Sequence, residues 1–234
     1  MMKVQAIIPT AGVGKRMRSS VAKPLVKIKG VPLFIHTLRV FERLKIVESV
    51  VLVVNKALES QIRKSLKTYK INKVKRIVLG GKTRQRSVYN GLLALDSDTD
   101  MVVIHDAARP CIEASLVEGA IESCRRWKAV TLAVPVKCTI KSADPKTLTV
   151  IKTLERSALW EIQTPQIFHT GIILKAHKRF KKIEVTDDAA LVERLGERVK
   201  IIESNYKNIK VTTPEDLDVA AKFLIKPVTL KRIY

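Results

Sequence analysis

Short, continuous apolar runs rich in β-branched residues alternate along this chain with amphipathic stretches, and that alternation narrows the possible folds more than any other feature. The runs VQAIIP (4–9), SVVLVVN (49–55), VKRIVLG (74–80), MVVIHD (101–106) and AVTLAVPV (129–136) read as strands. Between them, IHTLRVFERL (35–44) places Ile35, Leu38, Phe41 and Leu44 on one helical face. LESQIRKSLKTY (58–69), RQRSVYNGLLAL (84–95) and SLVEGAIESCRRW (115–127) have the same helical spacing. Strands that are apolar throughout, rather than alternately, are buried on both faces. The expected architecture is a doubly wound, mostly parallel α/β sheet of Rossmann-like type, with ligands at the carboxyl ends of its strands.

The rhythm changes near Pro135. VKCTIKSAD and TLTVIKTLE flank the turn chemistry of ADPKT, so residues 136–155 read as a protruding β-hairpin arm within a single domain spanning 1–234. An isolated two-stranded ribbon is marginal in water, which points to a second copy of the chain packed against it, in a homodimer. Helical stretches follow at about 171–180 and 187–195, then a strand RVKIIES (198–204). The last helix starts with Thr213 as N-cap, Pro214 in the first helical position, and Glu215 and Asp216 beside the positive helix end. The tail from 225 to 234 has no clear assignment.

Charge bounds the partners. Lys and Arg total 44 against 22 Asp and Glu, a formal net charge of +22, so the surface attracts polyanions such as nucleotides and phosphorylated metabolites. Aromatic residues are only 5% and the cations are dispersed, which disfavours nucleic acid as the main partner. Three cysteines without a C-x-x-C pair fit reduced thiols rather than disulfides or zinc. No apolar run approaches the roughly 18–20 residues of a membrane span, and no signal segment opens the chain, so a soluble cytoplasmic protein is expected.

Three stretches carry chemistry. In IIPTAGVGKRMRSSVAK (7–23) a strand breaks into a turn with Gly12 and Gly14, followed by Lys15, Arg16, Arg18 and Lys23; no acid occurs before Glu42. Glycines let backbone N–H groups close on an anion, and the cations beyond neutralise phosphate. The spacing is neither a dinucleotide fingerprint nor a Walker A loop. In GGKTRQRSVYNGL (80–92), Gly80 and Gly81 end a strand, and Thr83, Arg84 and Ser87 surround a helix start; paired glycines admit a flat ligand such as a base. Taken singly, each loop is equally compatible with an ordinary turn whose basic side chains face solvent. In MVVIHDAARP (101–110) a buried strand delivers Asp106 to its carboxyl end, where one carboxylate and phosphate oxygens suit Mg2+. His105 reads as structural.

PTAGVGKRM, GGKTRQRSVYNGL, HDAARP, LWEIQTPQIF and NIKVTTPEDL occur in the order and spacing of the 2-C-methyl-D-erythritol 4-phosphate cytidylyltransferase family, which the chain resembles from about Val4 to Leu224. The resemblance implies one nucleotidyltransferase domain that transfers the cytidylyl group of CTP to 2-C-methyl-D-erythritol 4-phosphate and releases pyrophosphate, a step of non-mevalonate isoprenoid biosynthesis, with Mg2+ or another divalent cation. It assigns Arg16, Lys23 and Lys210 to the phosphates. Pro9, Thr10, Ala11, Gly12, Gly14, Gly81, Arg84, Ser87, Asp106 and Ala107 would bind the nucleotide, with Asp106 also holding the metal. Thr139, Arg156, Thr164 and Lys210 would bind the second substrate, the first two from the arm across a dimer interface. Three positions depart from the family pattern: Thr10 replaces a usual alanine, AKPL surrounds Lys23, and Lys82 stands where an acid is common. A cytidylyltransferase for another polyol phosphate, such as ribitol 5-phosphate, would share the nucleotide motifs and differ at Thr139 and Arg156. A binding module for nucleic acid, driven by charge alone, is the alternative outside enzymes.

Overall fold

The computed structural model describes residues 2–12, 17 and 21–224. Its centre is a seven-stranded sheet built from β1 (Val4–Pro9), β4 (Ser49–Val54), β5 (Val74–Leu79), β6 (Met101–Ile104), β7 (Ala129–Pro135), β10 (Trp160–His169) and β11 (Lys200–Glu203), in the order β11-β7-β10-β6-β1-β4-β5. Two further short pairs stand apart from it: β2 (Lys27–Ile28) with β3 (Val31–Pro32), and β8 (Lys141–Ala143) with β9 (Val150–Thr153). Every neighbouring pair in the large sheet is parallel except those of β10, which runs antiparallel to both β6 and β7. All parallel strands therefore deliver their carboxyl ends to one edge.

Both faces of the sheet are covered. Ala6 and Ile8 of β1, with Val50, Leu52 and Val54 of β4, pack on one side against α1 (Leu33–Arg43), α2 (Glu59–Thr68) and α4 (Ala114–Trp127). Ile35, Leu38, Phe41 and Leu44 all lie in this core. Ile7, Val51 and Val53 point the other way, toward α3 (Arg84–Leu92), α5 (Thr170–Arg179) and α6 (Ala189–Glu193). That alternation is what period-two side chains require when both faces are dry. A Cβ on Gly91 of α3 would lie 2.7 Å from the Ile7 methyl carbon, so glycine there lets the helix sit close on β1.

Each sequence-predicted strand in the sheet is present. β10 is the element that the apolar pattern does not reveal. Its residues Gln163, Thr164 and Gln166 are polar, and Pro165 interrupts the run, yet all three polar side chains are buried. The peptide bond between Thr164 and Pro165 is cis. The strand is stable there because its polar atoms are satisfied by long-range partners, described below. The helix expected at 187–195 is shorter, α6 covering 189–193; Asp188 is its N-cap residue, and Asp187 Oδ1 accepts the Ala190 N–H at 3.3 Å. α7 (Pro214–Phe223) begins with a capping box between Thr213 and Asp216. Among the described residues, no helix is long and apolar enough to cross a membrane.

Candidate active site

A cavity of about 430 Å3 opens at the carboxyl edge of the sheet. Three separated stretches build most of it. The end of β1 contributes Pro9, Thr10, Ala11 and Gly12; the segment between β5 and α3 contributes Gly81, Lys82, Thr83 and Arg84, with Ser87 on the helix. Beyond β6 come Asp106, Ala107 and Ala108; Lys23, Pro24, Leu33, Asn55 and Lys210 complete the wall. Of the residues the sequence singled out, Pro9, Thr10, Ala11, Gly12, Lys23, Gly81, Arg84, Ser87, Asp106, Ala107 and Lys210 thus share one cavity. Gly14 and Arg16 lie outside the described residues. Thr139 and Arg156 are exposed at the base of the β8–β9 ribbon and do not line this cavity; the Arg156 guanidinium donates to the Lys137 carbonyl at 3.0 Å. Thr164 lies beneath Asp106 rather than on the cavity wall.

The glycine pair is a packing requirement. A Cβ on Gly80 would lie 2.4 Å from the Ala11 side chain, and one on Gly81 would lie 2.2 Å from Arg86 Cγ. Their absence brings the β1 loop and the start of α3 into contact. Thr83 caps α3 by accepting the Arg86 N–H at 3.1 Å. The Ser87 hydroxyl accepts the Gly81 N–H at 3.0 Å and donates to the Thr83 carbonyl at 2.9 Å, so it shapes the turn from inside. Thr10 is explained similarly: its hydroxyl donates to the Val53 carbonyl at 2.7 Å, tying the loop to β4.

Asp106 is the one carboxylate among the described residues that line the cavity. Its Oδ1 accepts from Arg84 Nε at 3.1 Å and its Oδ2 from Lys210 Nζ at 2.6 Å. Burial alone would raise its carboxyl pKa; Arg84 and Lys210 outweigh burial and hold it well below the usual carboxylate range. Lys210 is delivered by a backbone contact, the Val211 N–H donating to the Ala108 carbonyl at 2.8 Å. Val211 itself is buried with Met17, Leu33 and Cys111, so one apolar cluster ties the Lys210 segment to the first loop.

Beneath the cavity lies a buried polar layer. The Asp106 N–H donates to Thr164 Oγ1 at 3.1 Å. His105 Nε2 faces the Arg109 carbonyl at 3.2 Å, so it carries the proton, and Nδ1 accepts from the Thr164 hydroxyl at 3.1 Å. Burial lowers the His105 pKa to about 4, which agrees with a neutral, structural ring. Arg84 makes a second ion pair, Nη1 to Asp188 Oδ2 at 2.7 Å, and His177 Nε2 donates to Asp188 Oδ1 at 3.2 Å. Asp188, His177 and Gln166 are residues that sequence reasoning passed over. The one local signal was two adjacent acids before a short helix, which reads as nothing more than a helix cap.

The whole chain compares closely with one set of proteins. The family model described as IspD, 2-C-methyl-D-erythritol 4-phosphate cytidylyltransferase, matches residues 4–226. A protein of Desulforamulus reducens bearing that enzyme name is 44% identical over 96% of this chain and 97% of its own. One from Pelotomaculum thermopropionicum is 47% identical over 94% and 93%. The crystal structure of 4-diphosphocytidyl-2C-methyl-D-erythritol synthase from Anaerococcus prevotii superposes with a TM-score of 0.84 at 33% identity, covering 96% of this chain and 97% of the other.

Proposed function

The chain belongs to the 2-C-methyl-D-erythritol 4-phosphate cytidylyltransferase family, and from that premise we propose that it joins CTP to 2-C-methyl-D-erythritol 4-phosphate, releasing pyrophosphate, as a step of isoprenoid biosynthesis. The observation that carries this reading is the convergence of the β1 loop, the Gly81–Ser87 turn, Asp106, Lys23 and Lys210 on one cavity of nucleotide size.

The chemistry asks little of a general base. A phosphate monoester with a second pKa of about 6 is already an anionic nucleophile at neutral pH. The obstacle is the approach of two polyanions and the charge that builds on the α-phosphate as the bond to the nucleophile forms and that to pyrophosphate breaks. Lys23 and Lys210, set in the cavity wall, meet that charge, and Arg16 joins them by resemblance. Fixed cations of this kind stabilise the transition state more than the ground state.

A divalent cation, Mg2+ in the first instance, fits the donor set. A single carboxylate with phosphate oxygens and water is an ordinary Mg2+ environment, and Asp106 supplies that carboxylate at the rim of the phosphate region. The ion would neutralise triphosphate charge. Asp106 Oδ2, held by Lys210, is the oxygen that must be handed over, and that exchange would free the Lys210 ammonium for phosphate.

The second substrate is read by the arm. Thr139 and Arg156 lie away from this chain's cavity, and Val150 and Ile151 of β9 are exposed. A homodimer that packs these ribbons would bring the two polar residues to the partner's cavity. With CTP as substrate and three unpaired cysteines, the cytoplasm is the expected setting.

The deciding experiment measures pyrophosphate release with each of the four nucleoside triphosphates, alone and with 2-C-methyl-D-erythritol 4-phosphate or ribitol 5-phosphate, and identifies the product by mass. Release with CTP and methylerythritol phosphate alone is expected. Preference for ribitol phosphate would overturn the substrate assignment, and turnover with no CTP preference would overturn the nucleotide assignment.

A further inference from the structure

Arg84 lies between two carboxylates, Asp106 at 22 and Asp188 at 104 positions from it along the chain. Its Nη1 is 2.7 Å from Asp188 Oδ2, closer than the 3.1 Å from its Nε to Asp106 Oδ1. Its third nitrogen, Nη2, is buried and has no protein partner. Asp188 is 1% exposed, and it is fixed from every side. His177, itself buried, donates to its other oxygen and stacks on Tyr89 of α3 with ring centroids 5.9 Å apart, so the helix that carries Arg84 also braces the group that holds it. Gln166 Oε1 accepts the backbone N–H groups of Asp188 and Ala189 at 3.0 and 3.1 Å, while its amide nitrogen donates to Asp187 and Thr131. Gln166 stands two residues beyond Thr164, which receives the Asp106 N–H. The central antiparallel strand β10 thus sets the position of both carboxylates.

We propose that Asp188 is a positioning residue for nucleotidyl transfer: it anchors the Arg84 guanidinium from behind, so that Arg84 orients Asp106 without collapsing onto it. This rests on the functional reading above. Asp106 and Asp188 face the buried guanidinium groups of Arg84 and Arg109, and the Lys210 ammonium reaches Asp106 from the exposed rim. Neutralising Asp188 removes the carboxylate that draws Arg84 away from Asp106, and Arg84 keeps only its contact to the Asp106 carboxylate. The carboxylate is then masked from the cation that accompanies CTP.

The test is calorimetric titration of CTP, with and without Mg2+, into wild type, Asp188→Asn, Arg84→Gln and the double variant, each checked by circular dichroism and thermal unfolding. Asp188→Asn is expected to weaken Mg2+-dependent CTP binding about tenfold, within the range for coupled neighbours, and to affect metal-free binding less. Because Asp188 acts through Arg84, the double variant should bind no worse than Arg84→Gln alone; a merely structural role would make the losses multiply. A folded Asp188→Asn protein with wild-type affinity, or losses that multiply, overturns the proposal. If Asp188→Asn does not fold, the double variant, which removes both buried charges, is compared with Arg84→Gln by the same criterion. Wild-type protein that binds CTP but forms no product defeats the functional reading while leaving this comparison decisive; wild-type protein that binds no CTP defeats both.

Discussion

The floor of the cavity and the β8–β9 ribbon hold their shape by opposite means. In the floor the bonds join residues far apart in sequence: Arg84 with Asp188 across 104 positions, the Asp106 N–H with Thr164 across 58. In the ribbon they are local. Asp144 Oδ1 accepts the N–H groups of Lys146 and Thr147, two and three residues on, and Lys141 reaches Thr153 across 12. The floor is buried and its two carboxylates are paired; all four residues of β9 are exposed, and Leu148 is 82% exposed. Long-range bonding places a charged group accurately, as transition-state stabilisation requires. A ribbon secured only by its own turn can adjust to whatever surface meets it.

The comparison breaks first, if it breaks, at Asp106 and Lys210. Asp106→Asn and Lys210→Ala are each expected to lower the rate of pyrophosphate release about 10²–10³-fold, the usual cost of removing one preorganised charge. Rates within a factor of two or three of wild type would remove the floor from the mechanism. Acid sharpens the same contrast. The folded protein holds the His105 pKa at about 4, below the ordinary 6.5, because burial disfavours the charged ring. Between those values the unfolded chain takes up a proton that the folded one refuses. The stability that a neutral, buried His105 contributes is therefore full above pH 6.5 and falls as pH drops toward 4, by roughly 3 kcal/mol. Denaturant unfolding at pH 7 and pH 4.5, with His105→Gln alongside, measures it; the variant should lose less of its stability on acidification. Thr164→Val comes next. It leaves the buried Asp106 N–H without its acceptor, at a cost of about 1–3 kcal/mol, and lowers turnover together with stability. Unchanged midpoint and unchanged rate would mean that the hydroxyl does not seat Asp106.

The same contrast explains what could be read from the chain. The apolar strands of the sheet, the Gly80–Gly81 turn and Asp106 at a strand end are local signals, and each lies where the pattern puts it. β10 was hidden because a buried strand normally advertises itself by continuous apolar residues, and this one is buried through hydrogen bonds from Gln163, Thr164 and Gln166. Asp188 and His177 were hidden for a related reason. Their partners lie 104 and 11 residues away, and no spacing rule links an arginine at a helix start to an acid in a distant loop. Thr164 was singled out as a substrate contact, yet its hydroxyl already bonds the Asp106 backbone and His105, which supports a supporting role under the acid.

The ribbon should show the smallest effect on stability and a distinct effect on assembly. Val150 and Ile151 are 61% and 65% exposed within one chain, so replacing both with serine removes little burial and should change the unfolding free energy of an isolated chain by no more than about 0.5 kcal/mol. If a second copy covers them, the same change removes apolar area from an interface and shifts the sedimentation coefficient from dimer toward monomer. It should also raise the KM for the polyol phosphate more than the KM for CTP, because Thr139 and Arg156 stand at the base of this ribbon and away from the CTP cavity. A monomeric wild type in sedimentation, or a double variant whose two KM values rise equally, would separate the ribbon from the second substrate and leave the cavity floor to bind both reactants alone.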